Sequence, residues 1–152
     1  MLISKKSTLD LLPQKTPFVL VDQLMDYGTD FCTSIFKIPQ EHVLIENNAV
    51  SSGLIIENIA QTAALHLGYT YHLSDKQPPI GFIAEIKDLH IIELPKIDDQ
   101  IKTEIKIMHE VFNCLIVSGE ILHDGHIIAY CTLKVFLNTT NAAISIYIES
   151  KE

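Results

Sequence analysis

The sequence predicts a single α+β domain in which an antiparallel sheet wraps around one long central helix. Three observations predict it. Residues from about 53 to 72 are apolar on almost every face of a helix, which is typical of a buried helix. Segments before and after them alternate apolar and polar residues with the period of β-strands. The length of 152 residues fits one domain, 1–152, with a core at about 9–137 and a C-terminal tail at 138–152.

The segments before the long helix predict one helical turn, two strands and a loop. We expect Ser7 or Thr8 to cap the turn, because short hydroxyl side chains accept hydrogen bonds from the first backbone N–H groups. Pro13 ends the turn, and Gly28-Thr29-Asp30 separates the two strands. The predicted elements are a helical turn at 7–13, strands at 18–27 and 31–38, and an irregular loop at 40–52.

The long helix is predicted over residues 53–72, with Ser51 or Ser52 as its N-cap. Its polar exceptions are Glu57, Asn58 and Gln61. Glu57 and Gln61 are four residues apart, so their side chains lie on the same face of the helix.

Only strands are predicted after the helix, and Asp124-Gly125 is a strong signal for a tight hairpin. Pairing of consecutive strands predicts a meander of three or four strands, to which residues 144–148 would add an edge strand. One helix covers only one face of such a sheet, so we expect two subunits to associate edge to edge. The predicted strands are 81–92, 100–111, 114–123 and 126–137.

Composition excludes several classes of function. The net charge is −8, with eleven lysines and no arginine, which argues against nucleic-acid binding. No apolar run reaches the roughly 18 residues of a membrane span, and no signal peptide is recognisable, so we expect a cytoplasmic protein. Three cysteines without a CxxC pair indicate reduced thiols. The spacing of the histidines does not suit metal ligation, and we expect neither a metal site nor a cofactor.

Four motifs, in this order, resemble those of the hotdog-fold 3-hydroxyacyl-[acyl carrier protein] dehydratases over about residues 9–137. The helix motif is also similar to that of predicted dehydratases associated with aryl-polyene and flexirubin-type pigment clusters. The four motifs are LLPQKTPFVLVD at 11–22, IENIAQTAA at 56–64, GFIAEIK at 81–87 continuing through Pro95 to DDQI at 98–101, and GHIIA at 125–129.

The resemblance implies elimination of water from a 3-hydroxyacyl thioester to give the 2-enoyl thioester. That reaction needs a base at C2, an acid at the C3 hydroxyl and donors for the thioester carbonyl. The resemblance makes Glu57 the acid, with Gln61 beside it as a hydrogen-bond partner. The first backbone N–H groups of the helix, near Gly53 and Leu54, would hold the carbonyl oxygen. The strand segment Gly81-Phe82-Ile83 would contact the acyl-pantetheine chain.

The base is where the sequence departs from the family, because residues 45–53 carry neither the histidine nor the prolines of its motif. Asn48 falls at the position of the histidine, and His42 is the nearest imidazole. We predict that His42, or a water held by Asn48, acts as the base. The competing interpretations are a turn residue for Asn48, a solvated loop histidine for His42, a helix cap for Glu57 and a satisfied buried amide for Gln61.

Three functions remain open from the sequence. The first is a dehydratase acting on acyl carrier protein or coenzyme A thioesters in fatty-acid or polyene synthesis, as a homodimer or heterodimer. The second is a non-catalytic subunit that binds acyl carrier protein or stabilises an active hotdog partner. The third is a thioesterase in which Glu57 activates water. Because carrier proteins and this chain are both acidic, docking would need a local lysine patch, drawn from Lys87, Lys96, Lys102, Lys106 and Lys134.

Overall fold

The structure, a computed structural model, describes residues 2–138; residues 1 and 139–152 lie outside the described part. Six antiparallel strands form one sheet around a long helix, and a separate two-stranded sheet precedes that helix. The predicted arrangement is therefore confirmed. The predicted edge strand at 144–148 falls outside the described residues.

The long helix and the four strands after it begin and end within one residue of their predicted bounds. No helix within residues 2–138 is long and apolar enough to cross a membrane. The elements are α1 (Lys5–Leu11), β1 (Gln23–Tyr27), β2 (Phe31–Lys37), β3 (Ile45–Glu46), β4 (Ala49–Val50), α2 (Ser52–Leu73), β5 (Ile80–Ile91), β6 (Gln100–Val111), β7 (Cys114–His123) and β8 (His126–Asn138).

Two predictions before α2 are wrong. Helix α1 begins earlier than expected, and its N-cap is Ser4, which makes no side-chain capping bond, rather than Ser7 or Thr8. The strand predicted from residue 18 begins only at Gln23. The backbone groups of Phe18 and Leu20 instead form hydrogen bonds with side chains of α2.

The predicted irregular loop contains a tight hairpin, β3–β4. Its turn residues, Asn47 and Asn48, both have positive φ angles, 52° and 60°. A two-residue hairpin turn of this kind needs left-handed backbone at both central positions, and asparagine tolerates that conformation better than most residues.

The strand order in the large sheet is β1-β2-β6-β7-β8-β5. The predicted meander of three or four strands has three, β6, β7 and β8, and β5 is not its fourth. That strand pairs with β8 at the far edge, because the free side of β6 is taken by β2. As a result β5, which follows α2 in the chain, forms one end of the sheet.

Helix α2 packs across the inner face of the sheet, and Gly119 of β7 permits the close approach. A Cβ atom at Gly119 would collide with the side chain of Ile59. The contact brings α2 against the middle of the sheet and leaves the β5 end less covered.

Candidate active site

The N-terminus of α2 is fixed by Ser51, the predicted N-cap. Its hydroxyl oxygen accepts a hydrogen bond from the N–H of Leu54 at 3.3 Å. Gly53 is exposed, whereas the side chain of Leu54 is fully buried. A Cβ at Gly53 would make only ordinary contacts, at 3.6 Å or more, so packing does not require glycine there.

Glu57 lies beyond the first turn of α2, and that turn contains no acidic residue. The interpretation of Glu57 as a cap of its own helix is therefore wrong. Its half-buried carboxylate accepts a hydrogen bond from Nε2 of Gln61 at 3.0 Å. The predicted pairing of these two side chains on one helix face is present in the structure.

Gln61 is fully buried, and both the nitrogen and the oxygen of its amide form hydrogen bonds. Nε2 also donates to the carbonyl of Phe18 at 2.7 Å, and Oε1 accepts from the N–H of Leu20 at 2.7 Å. Gln61 therefore orients Glu57 and also ties residues 18–20 to the helix. These bonds leave no amide hydrogen of Gln61 for a ligand.

Asn58 provides a second tie to the same segment. Its Nδ2 donates to the carbonyl of Leu20 at 2.7 Å, and its Oδ1 accepts from the hydroxyl of Thr103 at 2.5 Å. Residues 18–20 therefore form hydrogen bonds with side-chain amides, whereas a strand would form them with the backbone of a neighbouring strand.

A cavity of about 540 Å³ lies between α2 and the inner face of the sheet. Glu57 lines it from the helix, and Gly81, Phe82 and Ile83 line it from the start of β5. The structure thus brings four of the predicted site residues to one cavity. Small residues on α2, namely Ala60, Ala63 and Ala64, form much of the helix side of the cavity.

The alanines are site residues that sequence reasoning missed. Ala60 and Ala64 follow Glu57 by three and seven residues, the spacing of one helix face. A run of small residues beside a carboxylate was the available signal. It was obscured because alanine also suits the buried face of any helix.

His42 and Asn48 do not line this cavity. Nδ1 of His42 accepts from the N–H of Leu44 at 3.1 Å, so Nε2 carries the proton and donates to the carbonyl of Pro17 at 2.8 Å. Both ring nitrogens are occupied in a neutral imidazole. Asn48 is exposed at the tip of the β3–β4 hairpin, as the turn interpretation expected.

His66 is another imidazole on the wall of the cavity, and no motif in the sequence singles it out. Nine residues of helix, about 13 Å, separate it from Glu57. Its ring stacks on Tyr27, and Nε2 lies 2.9 Å from the carbonyl oxygen of Gly28. Burial lowers the pKa of His66, against the opposing influence of Gly28 and Asp30. The distance places His66 too far away to act on the same carbon pair as Glu57.

Two of the five lysines considered for carrier-protein docking lie beside carboxylates. Lys87 lies 3.7 Å from a carboxylate oxygen of Glu85, and Lys102 lies 2.6 Å from one of Glu104. These exposed pairs reduce the positive potential that an acidic partner would meet.

A family model and a relative both match most of the chain. The model of a family described as ApeP-like, ApeP dehydratase, matches residues 6–145. The chain is 27% identical to the 3-hydroxyacyl-[acyl-carrier-protein] dehydratase FabZ of Shewanella baltica, over 86% of this chain and 88% of that protein.

Several solved structures resemble the fold, and two of them are informative. One is the dehydratase heterocomplex ApeI:P from Xenorhabdus doucetiae, with a TM-score of 0.81, 13% identity and coverage of 90% of this chain and 94% of the other. The second is a hypothetical thioesterase with coenzyme A from Streptococcus pneumoniae, with a TM-score of 0.62, 12% identity and coverage of 76% and 84%. These likenesses confirm the predicted hotdog fold.

Proposed function

Because the chain belongs to the ApeP-like dehydratase family, we propose that it acts on 3-hydroxyacyl thioesters of acyl carrier protein in fatty-acid or polyene synthesis. The product is the 2-enoyl thioester and water. The observation that carries the proposal is the carboxylate of Glu57, oriented by Gln61 and placed on the wall of an otherwise largely apolar cavity. A cytoplasmic location belongs to the same proposal.

The proposal gives each site residue a role that its position supports. Glu57 protonates the leaving C3 hydroxyl, since it is the carboxylate that α2 presents to the cavity. The N–H groups at the start of α2, near Gly53 and Leu54, would hold the thioester carbonyl oxygen as it gains negative charge. This role requires movement, because the N–H of Leu54 is bound to Ser51 and neither Gly53 nor Leu54 lines the cavity. Gly81, Phe82 and Ile83 hold the acyl-pantetheine chain from the opposite wall. Gln61 acts through Glu57, as a positioning residue.

The base at C2 has two candidates within this chain. His42 can take a proton only after its ring releases Leu44, because that N–H occupies the lone pair of Nδ1. Asn48 has no basic side chain and would act by holding a water. Each candidate needs a rearrangement of residues 42–48 when substrate binds.

A second proposal is that the chain is one subunit of a dehydratase whose base comes from a different hotdog protein. Two observations favour it. Both nitrogens of His42 are occupied, and β5 presents an exposed apolar edge beside the cavity. The chain would then bind the acyl carrier protein or stabilise its partner.

The test is incubation of the purified protein with a 3-hydroxyacyl carrier protein, followed by mass spectrometry of the carrier for loss of one water. Glu57→Gln should slow the reaction at least about 100-fold, the usual contribution of a positioned general acid. Glu120→Gln is the matched control, because that exposed carboxylate lies on β7 away from the cavity. Equal rates for the wild type and Glu57→Gln would contradict the role of Glu57.

Further outcomes separate the alternatives. If His42→Gln abolishes water loss and Asn48→Gly does not, His42 is the base, and the reverse result indicates a water held by Asn48. Release of a free thiol would identify a thioesterase. If the folded protein shows no water loss, the first proposal is wrong, and the assay is repeated with a second hotdog protein present.

A further inference from the structure

We propose that residues 144–148 of the C-terminal tail pack against an apolar row on the outer face of the sheet, the face that points away from α2. The row consists of Val111, Phe112, Cys114 and Phe136. It lies at the corner where the turn between β6 and β7 meets the end of β8. This proposal does not depend on the proposed function, and its tests involve no substrate.

The strand registers place the row on the outer face. Leu115 of β7 and Val135 of β8 lie opposite each other and line the cavity, so both side chains point toward α2. Successive residues of a strand point to opposite faces of a sheet. Cys114 and Phe136, which also lie opposite each other, therefore point away from α2. Val111 of β6 lies opposite Cys114 and continues the row across a third strand.

The row is apolar, and residues 2–138 leave much of it uncovered. Val111 is 59% exposed, Phe136 is 50% exposed and Phe112 is 97% exposed. Phe112 also has a φ angle of 53°, which is unusual for a bulky side chain and suits asparagine or glycine better. Neither burial among the described residues nor the geometry of the turn accounts for a phenylalanine at this position. A segment that covers the row would account for it.

The chain itself continues from this corner. Strand β8 ends at Asn138, and the N–H of Leu137 donates to the carbonyl of Asn113, the residue after Phe112, at 2.8 Å. The five residues 139–143 can extend over roughly 17 Å. Three neighbouring strands span only roughly 10 Å. The segment that begins at residue 144 can therefore reach every member of the row.

The sequence of that segment suits an apolar surface. Ile144, Ile146 and Ile148 alternate with Ser145 and Tyr147. An extended conformation would direct the three isoleucines to one side, toward the row. A segment tethered beside its binding surface has a high effective concentration there. This favours the tail of the same chain over a separate protein as the occupant of the row.

The first test uses the thiol of Cys114, which is partly buried, whereas the other two cysteines are buried. A second cysteine is introduced into the full chain at one position of the tail. The rate of the intramolecular disulfide in oxidised glutathione is then measured by mass spectrometry of the denatured protein. The positions are Ile144→Cys, Ile146→Cys and Ile148→Cys, with Ser145→Cys and Tyr147→Cys as controls.

The fastest of the isoleucine positions should form the disulfide with Cys114 at least about fivefold faster than either control, because the bond requires the two Cβ atoms to face each other. A tail that does not pack on the row would sample all orientations. The five positions would then react at the same rate.

The second test measures stability with Phe112→Asn. If the phenylalanine side chain contacted only solvent, asparagine would fit the positive φ angle better, and the variant would unfold at a higher urea concentration. The proposal predicts the opposite result, a midpoint lower by at least about 0.3 M, because apolar contact with the tail is lost.

The matched background removes that contact from the other side. In a chain in which all three isoleucines of the segment are replaced by serine, Phe112→Asn should raise the urea midpoint or leave it unchanged. The difference between the two backgrounds isolates the contact between Phe112 and the tail from any effect of the turn.

The proposal is overturned if Phe112→Asn raises the midpoint in the otherwise unaltered chain, or if it lowers the midpoint equally in both backgrounds. Equal disulfide rates at the isoleucine and control positions would also overturn it. A disulfide that joins two chains, instead of closing within one, would show that a second copy occupies the row and not the tail of the same chain.

Discussion

Replacement of Gln61 by methionine removes three hydrogen bonds while keeping the length of the side chain. The N–H of Leu20 loses its acceptor in a place where water has little access, because Leu20 is 1% exposed. A buried donor without a partner costs about 1–3 kcal/mol. The carbonyl of Phe18 and the carboxylate of Glu57 are closer to solvent, so water replaces their lost partner at small cost.

The free energy of unfolding should therefore fall by about 1–3 kcal/mol, which lowers the melting temperature by roughly 3–10 °C in a chain of this size. Urea unfolding followed by circular dichroism measures it, with an unchanged slope as the sign that the native state stays compact. Gln40→Met is the control, because Gln40 is exposed and its bond to Asp98 is long, 3.4 Å.

The reasoning is refuted if Gln61→Met unfolds at the same urea concentration as Gln40→Met. That result would mean that residues 18–20 satisfy their backbone groups without the helix. The dehydration rate is a separate readout. The rate should fall as well, since Glu57 loses the group that orients it. A lower rate would not by itself establish the hydrogen bonds between Gln61 and residues 18–20.

Three further predictions concern buried groups. Burial lowers the pKa of His66 from its usual 6.5, so the stability that the neutral ring contributes is present above that pH and lost as the pH falls below it. Urea unfolding at about pH 7.5 and about pH 5.5 should show that His66→Gln loses less unfolding free energy over this interval than the wild type does. Gly119→Ala should destabilise the fold by about 1–3 kcal/mol in urea unfolding, because its methyl group collides with Ile59. Burial raises the pKa of the Cys131 thiol to about 11, so alkylation followed by mass spectrometry should modify it at about pH 8.5 only after unfolding.

Local pattern was sufficient to predict α2 and the long strands. Strand β6 shows why: its buried residues, Ile101, Thr103 and Ile105, alternate with exposed or half-buried ones, and that alternation is visible in the sequence. The hairpin at Asp124-Gly125 was equally local, because both residues adopt the positive φ angles that this dipeptide tolerates.

The segment before β1 could not be predicted in the same way. Residues 18–21 are as apolar as a strand. Their backbone groups nevertheless bind the side chain of Gln61, forty-one positions after Leu20, and not the backbone of a neighbouring strand. The position of β5 depended on a similar choice, because only the pairing of β2 with β6 excludes β5 from the meander. Such outcomes are decided by tertiary contacts, which propensity does not contain.

In the candidate site, too, local contacts were predictable and tertiary contacts were not. Glu57 and Gln61 were predictable as a pair because one helix turn joins them, whereas the state of His42 depends on Leu44 and on a carbonyl twenty-five residues away. An acid placed by a rigid helix and a base placed by a hairpin loop are held with different precision. Rearrangement of residues 42–48 therefore has to accompany substrate binding if one chain supplies both groups. If a second protein supplies the base, the His42 contacts can remain closed throughout turnover, and His42→Gln would leave the rate of the complex unchanged.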